Sequence, residues 1–345
     1  MKSLLLYEAG DLRCEEIEIP KIMPGSVLVK VKAVGVCGSD IPRVNIYGAY
    51  QPRTVMGHEF SGEIVEVNEA GAWKKGDRVV VPPLIPCGEC HWCQSGNYSL
   101  CENYDYFGSR RNGAMAEYVD VPITNLLALP DGVSYEAAAM VDPAANAIHA
   151  IWNGTLQAGD TVAVYGCGPI GMFAIQFAKI LGAKSIIAVD LKKEKLDVAQ
   201  EIGADYVINC LESDPVKEIN QITNGNGVNL VLETSGSPIA QNQCVCSAGK
   251  LGKAVFVGIS HRNLELTKEA VNNILRRELI IKGSWNSFSN PFPGKEWTYS
   301  LQMMDEGKLK TDPLVSHRLP LEEGPAIFKK FSEKDFFFNK VLFLP

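Results

Sequence analysis

Four of the ten cysteines in this 345-residue chain, Cys87, Cys90, Cys93 and Cys101, fall within "CGECHWCQSGNYSLC". The C-x2-C-x2-C-x7-C spacing lets four thiolates close a tetrahedral shell around Zn²⁺, which leaves no open position and marks a structural site. An iron–sulfur cluster is the alternative metal group for four thiolates. Disulfides fit poorly, because cysteines this close in sequence do not readily meet disulfide geometry. His91 sits inside the loop, but four thiolates already complete the shell. A second donor set is dispersed: Cys37 in "GVCGSD", and His58 with Glu59 in "MGHEFSGEIVEV". One thiolate, one imidazole and one carboxylate leave a coordination position open, the pattern of a catalytic zinc. Singly these residues say little, since a lone cysteine is commonly core packing.

A third constellation has the pattern of a phosphate-binding turn. In "VAVYGCGPIGMFAIQFA" an apolar run leads into Gly166-x-Gly168-x-x-Gly171 and then into a helical pattern, with Pro169 and Ile170 between the last two glycines. Glycines there permit a tight turn and close backbone approach to a pyrophosphate, which meets the positive end of the helix. Asp190 ends the next apolar run, "SIIAVD", nineteen residues after Gly171. A carboxylate at that distance binds the adenosine ribose hydroxyls and repels a 2′-phosphate, so NAD is the expected cofactor.

These residues need elements to hold them. Up to about residue 150, "SVLVKVKAVGV", "FSGEIVEVN", "GDRVVVPP" and "AEYVDVP" have the alternating or continuously apolar pattern of short strands. Near residue 152 the texture changes to apolar runs separated by helical stretches, as in βαβ units with a parallel sheet. Strands are expected at "YVIN", "VNLVLETSG" and "KAVFVGI", with helices at "KEKLDVAQEIGA" and "SPIAQNQCVCSAG". Near residue 283 the chain becomes aromatic and loop-like ("GSWNSFSNPFPGKEW") before a helix-loop-strand tail. The order predicts an α/β middle domain, 153–286, inserted between two parts, 1–152 and 287–345, of a β-rich domain.

Asp142, in the apolar stretch "AAMVDPAANAIHA", raises a separate question. With Pro143 behind it, Asp142 suits a helix N-cap. The preferred reading makes it the fourth group at the catalytic zinc, bound directly or through water.

Composition narrows the function classes. The chain carries 33 basic and 40 acidic residues, a net charge of −7, so no general attraction to nucleic acid or anionic membrane is expected. No apolar run approaches the ~18 residues of a spanning helix. The N-terminus lacks a signal-peptide pattern, and cysteines grouped at metal-site spacing point to the cytoplasm.

Cys37-Gly-Ser-Asp, Gly57-His58-Glu59-x-x-Gly62, the four-cysteine loop and the later GxGxxG follow one another along nearly the whole chain. In that order they resemble the zinc-dependent medium-chain alcohol dehydrogenases, specifically the polyol (sorbitol-type) branch. The resemblance implies an α/β protein with a GroES-like β-rich catalytic domain holding two zincs, one catalytic and one structural. A Rossmann domain with a doubly wound parallel sheet would bind NAD. Cys37 and His58 become catalytic-zinc ligands, Glu59 a ligand or its neighbour, and Ser39 the hydroxyl beside the substrate oxygen. Lys195 matches a basic residue near the adenosine ribose. A homo-oligomer, dimer or tetramer, is usual in the family. The chain departs from the branch at Asp142-Pro143, where Glu-Pro is usual, and aspartate is one methylene shorter.

The implied reaction exchanges a hydride between NAD and a secondary alcohol, with a polyol phosphate as the leading substrate. A phosphate calls for arginines; Arg43, Arg110 and Arg111 are the candidates, with Trp285 and Asn286 as pocket residues. An unphosphorylated polyol such as sorbitol or L-iditol, or L-threonine, is the alternative within the class. A zinc- and nucleotide-binding protein without turnover is the alternative outside it.

Overall fold

The computed structural model describes residues 1–68, 71–333 and 335–345. The chain divides into two compact units.

The first unit comprises Met1–Asp142, Phe288–Gly307 and Val315–Pro345. Its main sheet runs in the order Leu127–Ala128, Arg78–Val81, Glu59–Val67, Ser26–Gly35, Lys340–Phe343 and Val315–Leu319, and Tyr118–Pro122 also pairs with Ser26–Gly35. Ser26–Gly35 is central, and only Lys30 and Lys32 of its ten residues escape full burial. Leu4, Val29, Val31, Phe60, Phe107, Phe328 and Phe343 belong to the core beside it. Each such side chain contributes roughly 1.5–3 kcal/mol by leaving water. In the central register Gly35 pairs with both Glu59 and Leu342, which brings the start of the last strand beside the dispersed donor set.

The aromatic stretch that reads as a loop is a stacked cluster. Phe288 stacks on Phe292 and Trp297, and Tyr98 meets Phe292 edge-on. The Phe288 amide donates to Ser99 Oγ at 2.9 Å. These contacts fasten the four-cysteine loop to the segment before the helix Lys295–Asp305.

The second unit, Pro143–Ser287 with Lys308–Leu314, is built on six strands. Their order is Tyr206–Asn209, Ser185–Asp190, Thr161–Tyr165, Val228–Glu233, Ala248–Phe256 and Ile280–Gly283, and every pairing is parallel. Numbered within the unit this is 3-2-1-4-5-6, the Rossmann order, which reverses between the first and fourth strands and binds its ligand outside their carboxyl ends. Thr161–Tyr165 reads as an unbroken apolar run because both sheet faces are covered. The helix Lys268–Arg276 is capped by Thr267 through the Ala270 amide; the sequence reading passes over it, although Ala270, Val271, Ile274 and Leu275 recur at helical spacing and Ala270 and Ile274 pack in one apolar cluster. No helix among the described residues is long and apolar enough to cross a membrane.

Candidate active site

Cys37 lies in the turn that leaves Ser26–Gly35. Asp40 fixes this turn: its Oδ2 accepts the Cys37 amide at 3.0 Å, and its own amide donates to the Cys37 carbonyl at 3.0 Å. Asp40 Oδ1 also lies 3.4 Å from His58 Nδ1. One buried carboxylate thus holds both the thiol-bearing turn and the imidazole. With Nδ1 engaged by Asp40, Nε2 is the ring nitrogen left for a metal. Burial alone would lower the His58 pKa, but the charges of Asp40 and Cys37 outweigh it and raise it well above the ordinary imidazole range.

Gly57 has φ +91°, and a Cβ there would sit 2.6 Å from Met115 Cγ, so glycine is needed immediately before His58. Gly35 has a related role. A Cβ at Gly35 would come within 2.5 Å of Glu59 Oε2 and 2.9 Å of Lys340 Cε. The missing side chain makes room for an ion pair between Glu59 and Lys340, both buried. Lys340 Nζ also donates to the Val36 carbonyl at 3.1 Å.

The donor atoms of Cys37, His58 and Glu59 all lie within 4.8 Å of one another. Tyr106 packs edge-on against His58, with ring centroids 5.5 Å apart. Burial, then the charges of Asp142, Cys37, Glu59 and Asp40, hold its phenol well above its usual pKa. Asp142 is the second residue of the helix Val141–Asn153, so it lies inside the first turn and not at the cap position that the sequence allows. It is outside the 4.8 Å set, yet it faces the same charges. Burial and the Glu59 carboxylate push it up to about 7, against the opposing influence of His58 and Lys340. Ser39 is half-buried and its side chain makes no capping hydrogen bond.

The sulfurs of Cys87, Cys90, Cys93 and Cys101 also lie within 4.8 Å of one another. Four sulfurs ~2.3 Å from a tetrahedral zinc stand ~3.8 Å apart, and Cys87 Sγ and Cys93 Sγ are 3.9 Å apart. Backbone N–H groups, led by that of Glu102, pull the Cys90 thiol down to about 6. Burial and then the neighbouring thiols push Cys93 up to about 12. Four thiolates therefore need a cation among them. His91 is stacked edge-on with Trp92.

In the second unit, Gly166 has φ +94°, and a Cβ on Gly171 would collide with the Gly166 carbonyl. Gly168 caps the helix Pro169–Ile180, with Pro169 in its first turn and Ile170 following. Thr234 Oγ1 donates to the Gly166 carbonyl at 2.7 Å and fixes the turn. Asp190 accepts the amides of Cys167 at 2.7 Å, Leu191 at 2.7 Å and Lys192 at 2.9 Å, which anchors its carboxylate beside the glycine loop. Lys195 lies in the first turns of the following helix, Lys193–Ile202. Trp285 and Asn286 close this unit; Trp285 is half-exposed, and Asn286 has φ +51°, a conformation asparagine tolerates.

The three arginines, all in the first unit, do not stay together. Arg43 and Arg110 both approach the Tyr50 ring, whereas Arg111 pairs with Asp105 and Asp120. Asp40, Lys340, Tyr106 and Tyr50 were not singled out in the sequence. Asp40 was available from its C-x-x-D spacing to Cys37, and Lys340 as the one charge opening the apolar run "KVLFLP".

An open N/O/S donor set on a β-rich unit, in one chain with a parallel-sheet unit that carries a phosphate-binding loop, defines the class: an oxidoreductase with a metal and a nucleotide cofactor. Residues 23–131 match the family described as "Alcohol dehydrogenase GroES-like domain" and residues 169–305 that described as "Zinc-binding dehydrogenase". Galactitol 1-phosphate 5-dehydrogenase of Escherichia coli (strain K12) is 37% identical over 347 residues, covering 100% of both chains. The crystal structure of galactitol-1-phosphate dehydrogenase from Escherichia coli superposes with a TM-score of 0.94 at 36% identity, again covering 100% of each chain. Sorbitol dehydrogenase of Bacillus subtilis (strain 168) is 34% identical over 94% of this chain and 91% of its own. A crystal structure from Sinorhizobium meliloti 1021 bound to NADP superposes with a TM-score of 0.92 at 30% identity, over 100% of this chain and 99% of that one. The chain belongs to the zinc-dependent medium-chain alcohol dehydrogenase family and is an oxidoreductase.

Proposed function

We propose that the chain is an NAD-dependent dehydrogenase that oxidises one secondary hydroxyl of a polyol phosphate to a ketone. The observation that carries this reading is the convergence of Cys37, His58 and Glu59 within 4.8 Å in front of a buried supporting layer. Around that set lie the charges of Asp40, Asp142 and Lys340. With His58 as the neutral ligand a metal requires, Cys37, Asp40, Glu59 and Asp142 outnumber Lys340, and a divalent cation takes the place of the imidazolium proton. Mixed sulfur, nitrogen and oxygen donors suit zinc. Cys37, His58 and Glu59 would hold the zinc, which would supply a Lewis acid for the substrate hydroxyl, and bound NAD would supply the hydride acceptor. Ser39 passes the released proton outward, and Asp40 keeps His58 in one tautomer. Lys340 neutralises Glu59 and sets its reach. Tyr106 walls the site with an apolar ring that helps exclude water.

The four-cysteine loop is assigned to a structural zinc and the parallel-sheet unit to NAD, with Gly166, Gly168, Pro169, Ile170 and Gly171 against the pyrophosphate. Asp190, already oriented by three backbone amides, favours ribose hydroxyls over a 2′-phosphate; Lys195 is assigned to the adenosine ribose with it. The likeness to a galactitol 1-phosphate enzyme along the whole chain supports a phosphorylated substrate. The sorbitol dehydrogenase likeness supports the unphosphorylated alternative. Self-association is assigned to the edge strand Ile280–Gly283, where Ile280 and Ile281 are exposed.

The test is the rate of NADH formation with zinc-loaded protein and a panel of polyols and polyol phosphates, run with NAD and with NADP. The reading requires a phosphorylated hexitol or pentitol to give the highest kcat/KM, with NAD preferred. No NAD reduction by any panel member, with zinc and NAD still bound, would sink it.

A further inference from the structure

Arg43, Arg110 and Arg111 are equivalent as candidates in the sequence, but their surroundings separate them. The Arg111 guanidinium lies 3.7 Å from Asp105 and 3.6 Å from Asp120 and sits over Phe107, 5.0 Å from the ring centroid. Two carboxylates neutralise it and hold it to the strand Tyr118–Pro122.

Arg43 and Arg110 stand 5.2 Å and 5.4 Å from the centroid of the same ring, Tyr50. Among the described residues no ion pair involves either one. A ring quadrupole attracts a cation but carries no net charge, so two like charges share one platform without a counter-ion. The platform lies close to the donor set. Arg110 is also 4.2 Å from the Tyr104 centroid. Tyr104 is 6.2 Å from Tyr106, and Tyr106 packs on His58. From the other side, Arg43 follows directly on the short helix Asp40–Pro42, whose Asp40 anchors Cys37. Both guanidinium groups are thus tied through short segments to the two sides of the metal-ligating set.

We propose that Arg43 and Arg110, aligned by Tyr50, grip the substrate's terminal phosphate, and that Arg111 takes no part in binding it. A carboxylate is satisfied by one guanidinium fork, whereas a phosphate dianion presents three oxygens and accepts two. The pair would fix which hydroxyl of the polyol chain reaches the donor set. This inference rests on the polyol-phosphate reading above and adds to it the residues that select the phosphate.

The experiment compares kcat/KM for a hexitol 1-phosphate and the matching free hexitol, in wild type, Arg43→Gln, Arg110→Gln, Arg43→Lys and Arg111→Lys. Inhibition by inorganic phosphate is measured alongside with the free hexitol as substrate. Charge-assisted hydrogen bonds of this kind predict that each glutamine variant raises KM for the phosphate ester by about 10–100-fold. The change falls on KM more than on kcat, and inhibition by inorganic phosphate weakens in parallel. Arg43→Lys keeps the charge without the fork and loses less, while Arg111→Lys keeps the full preference. If wild type prefers the phosphate ester and both glutamine variants keep that preference, the clamp is wrong while the polyol-phosphate reading stands. The same holds if the preference disappears in Arg111→Lys. If wild type shows no preference for the ester, the reading itself falls, and the clamp with it.

Discussion

Cys87, Cys90, Cys93 and Cys101 span fifteen residues of one loop, whereas the second donor set draws on Cys37, His58 and Glu59, with Asp40, Asp142 and Lys340 behind them. Both sets bring their donor atoms within 4.8 Å. The loop set is built from one kind of atom and backbone amides, so a local sequence with the right spacing suffices. The dispersed set is mounted on the central sheet, and its orientation depends on buried ionic partners from distant segments. The contrast separates stability from chemistry. A closed thiolate shell has nothing to offer a substrate, while an open shell needs a scaffold to hold its ligands apart and charged.

The largest effect expected from this contrast is on turnover. Cys37→Ser or His58→Ala should lower kcat by on the order of 10³-fold or more, about 4 kcal/mol of barrier, with the far-UV spectrum and the loop-bound metal retained. Cys90→Ser or Cys101→Ser should do the reverse. Metal analysis should show the loop site lost and thermal melts a substantial fall in stability, and Trp297 fluorescence should report a loosened aromatic stack. Surviving folded molecules should keep much of their turnover. Similar losses of activity in both sets of variants would erase the distinction.

An effect of similar size, falling on stability in place of turnover, is expected behind the open set. Lys340→Met leaves Glu59 buried without its cation, at a cost of roughly 3–5 kcal/mol, and Glu59→Gln in the same chain should recover most of the melting temperature but not the activity. A double variant as unstable as Lys340→Met alone would mean that the pair matters through packing. Smallest of all, Asp40→Asn should weaken metal binding at the open set about 10–100-fold, read by competition with a chelator, and leave the loop metal unchanged.

The same contrast governs what could be read from the sequence. The four-cysteine loop and the GxGxxG turn are local, and the chain shows them directly. Cys37, His58 and Glu59 were found because each sits in a short motif, and the family resemblance joined them. Their supports were missed, since the partner of Glu59 is Lys340 at the far end of the chain, brought alongside by the pairing of Gly35 with both strands. Arg111 shows the same limit. Its neighbour in sequence, Arg110, lies over Tyr104, but its own fate is set by Asp120 on a strand. Asp142 was legible as a carboxylate needing compensation. That it lies inside the helix's first turn and among the charges of the open set required the three-dimensional structure.

The most direct test of the account measures zinc content and NADH formation together, in wild type and in Cys37→Ser, with NAD and a hexitol phosphate. Wild type should carry two zinc ions per chain and reduce NAD, and Cys37→Ser should retain one zinc and produce no NADH. Undiminished NAD reduction by Cys37→Ser, or by wild type stripped of zinc, would contradict the assignment of chemistry to Cys37, His58 and Glu59.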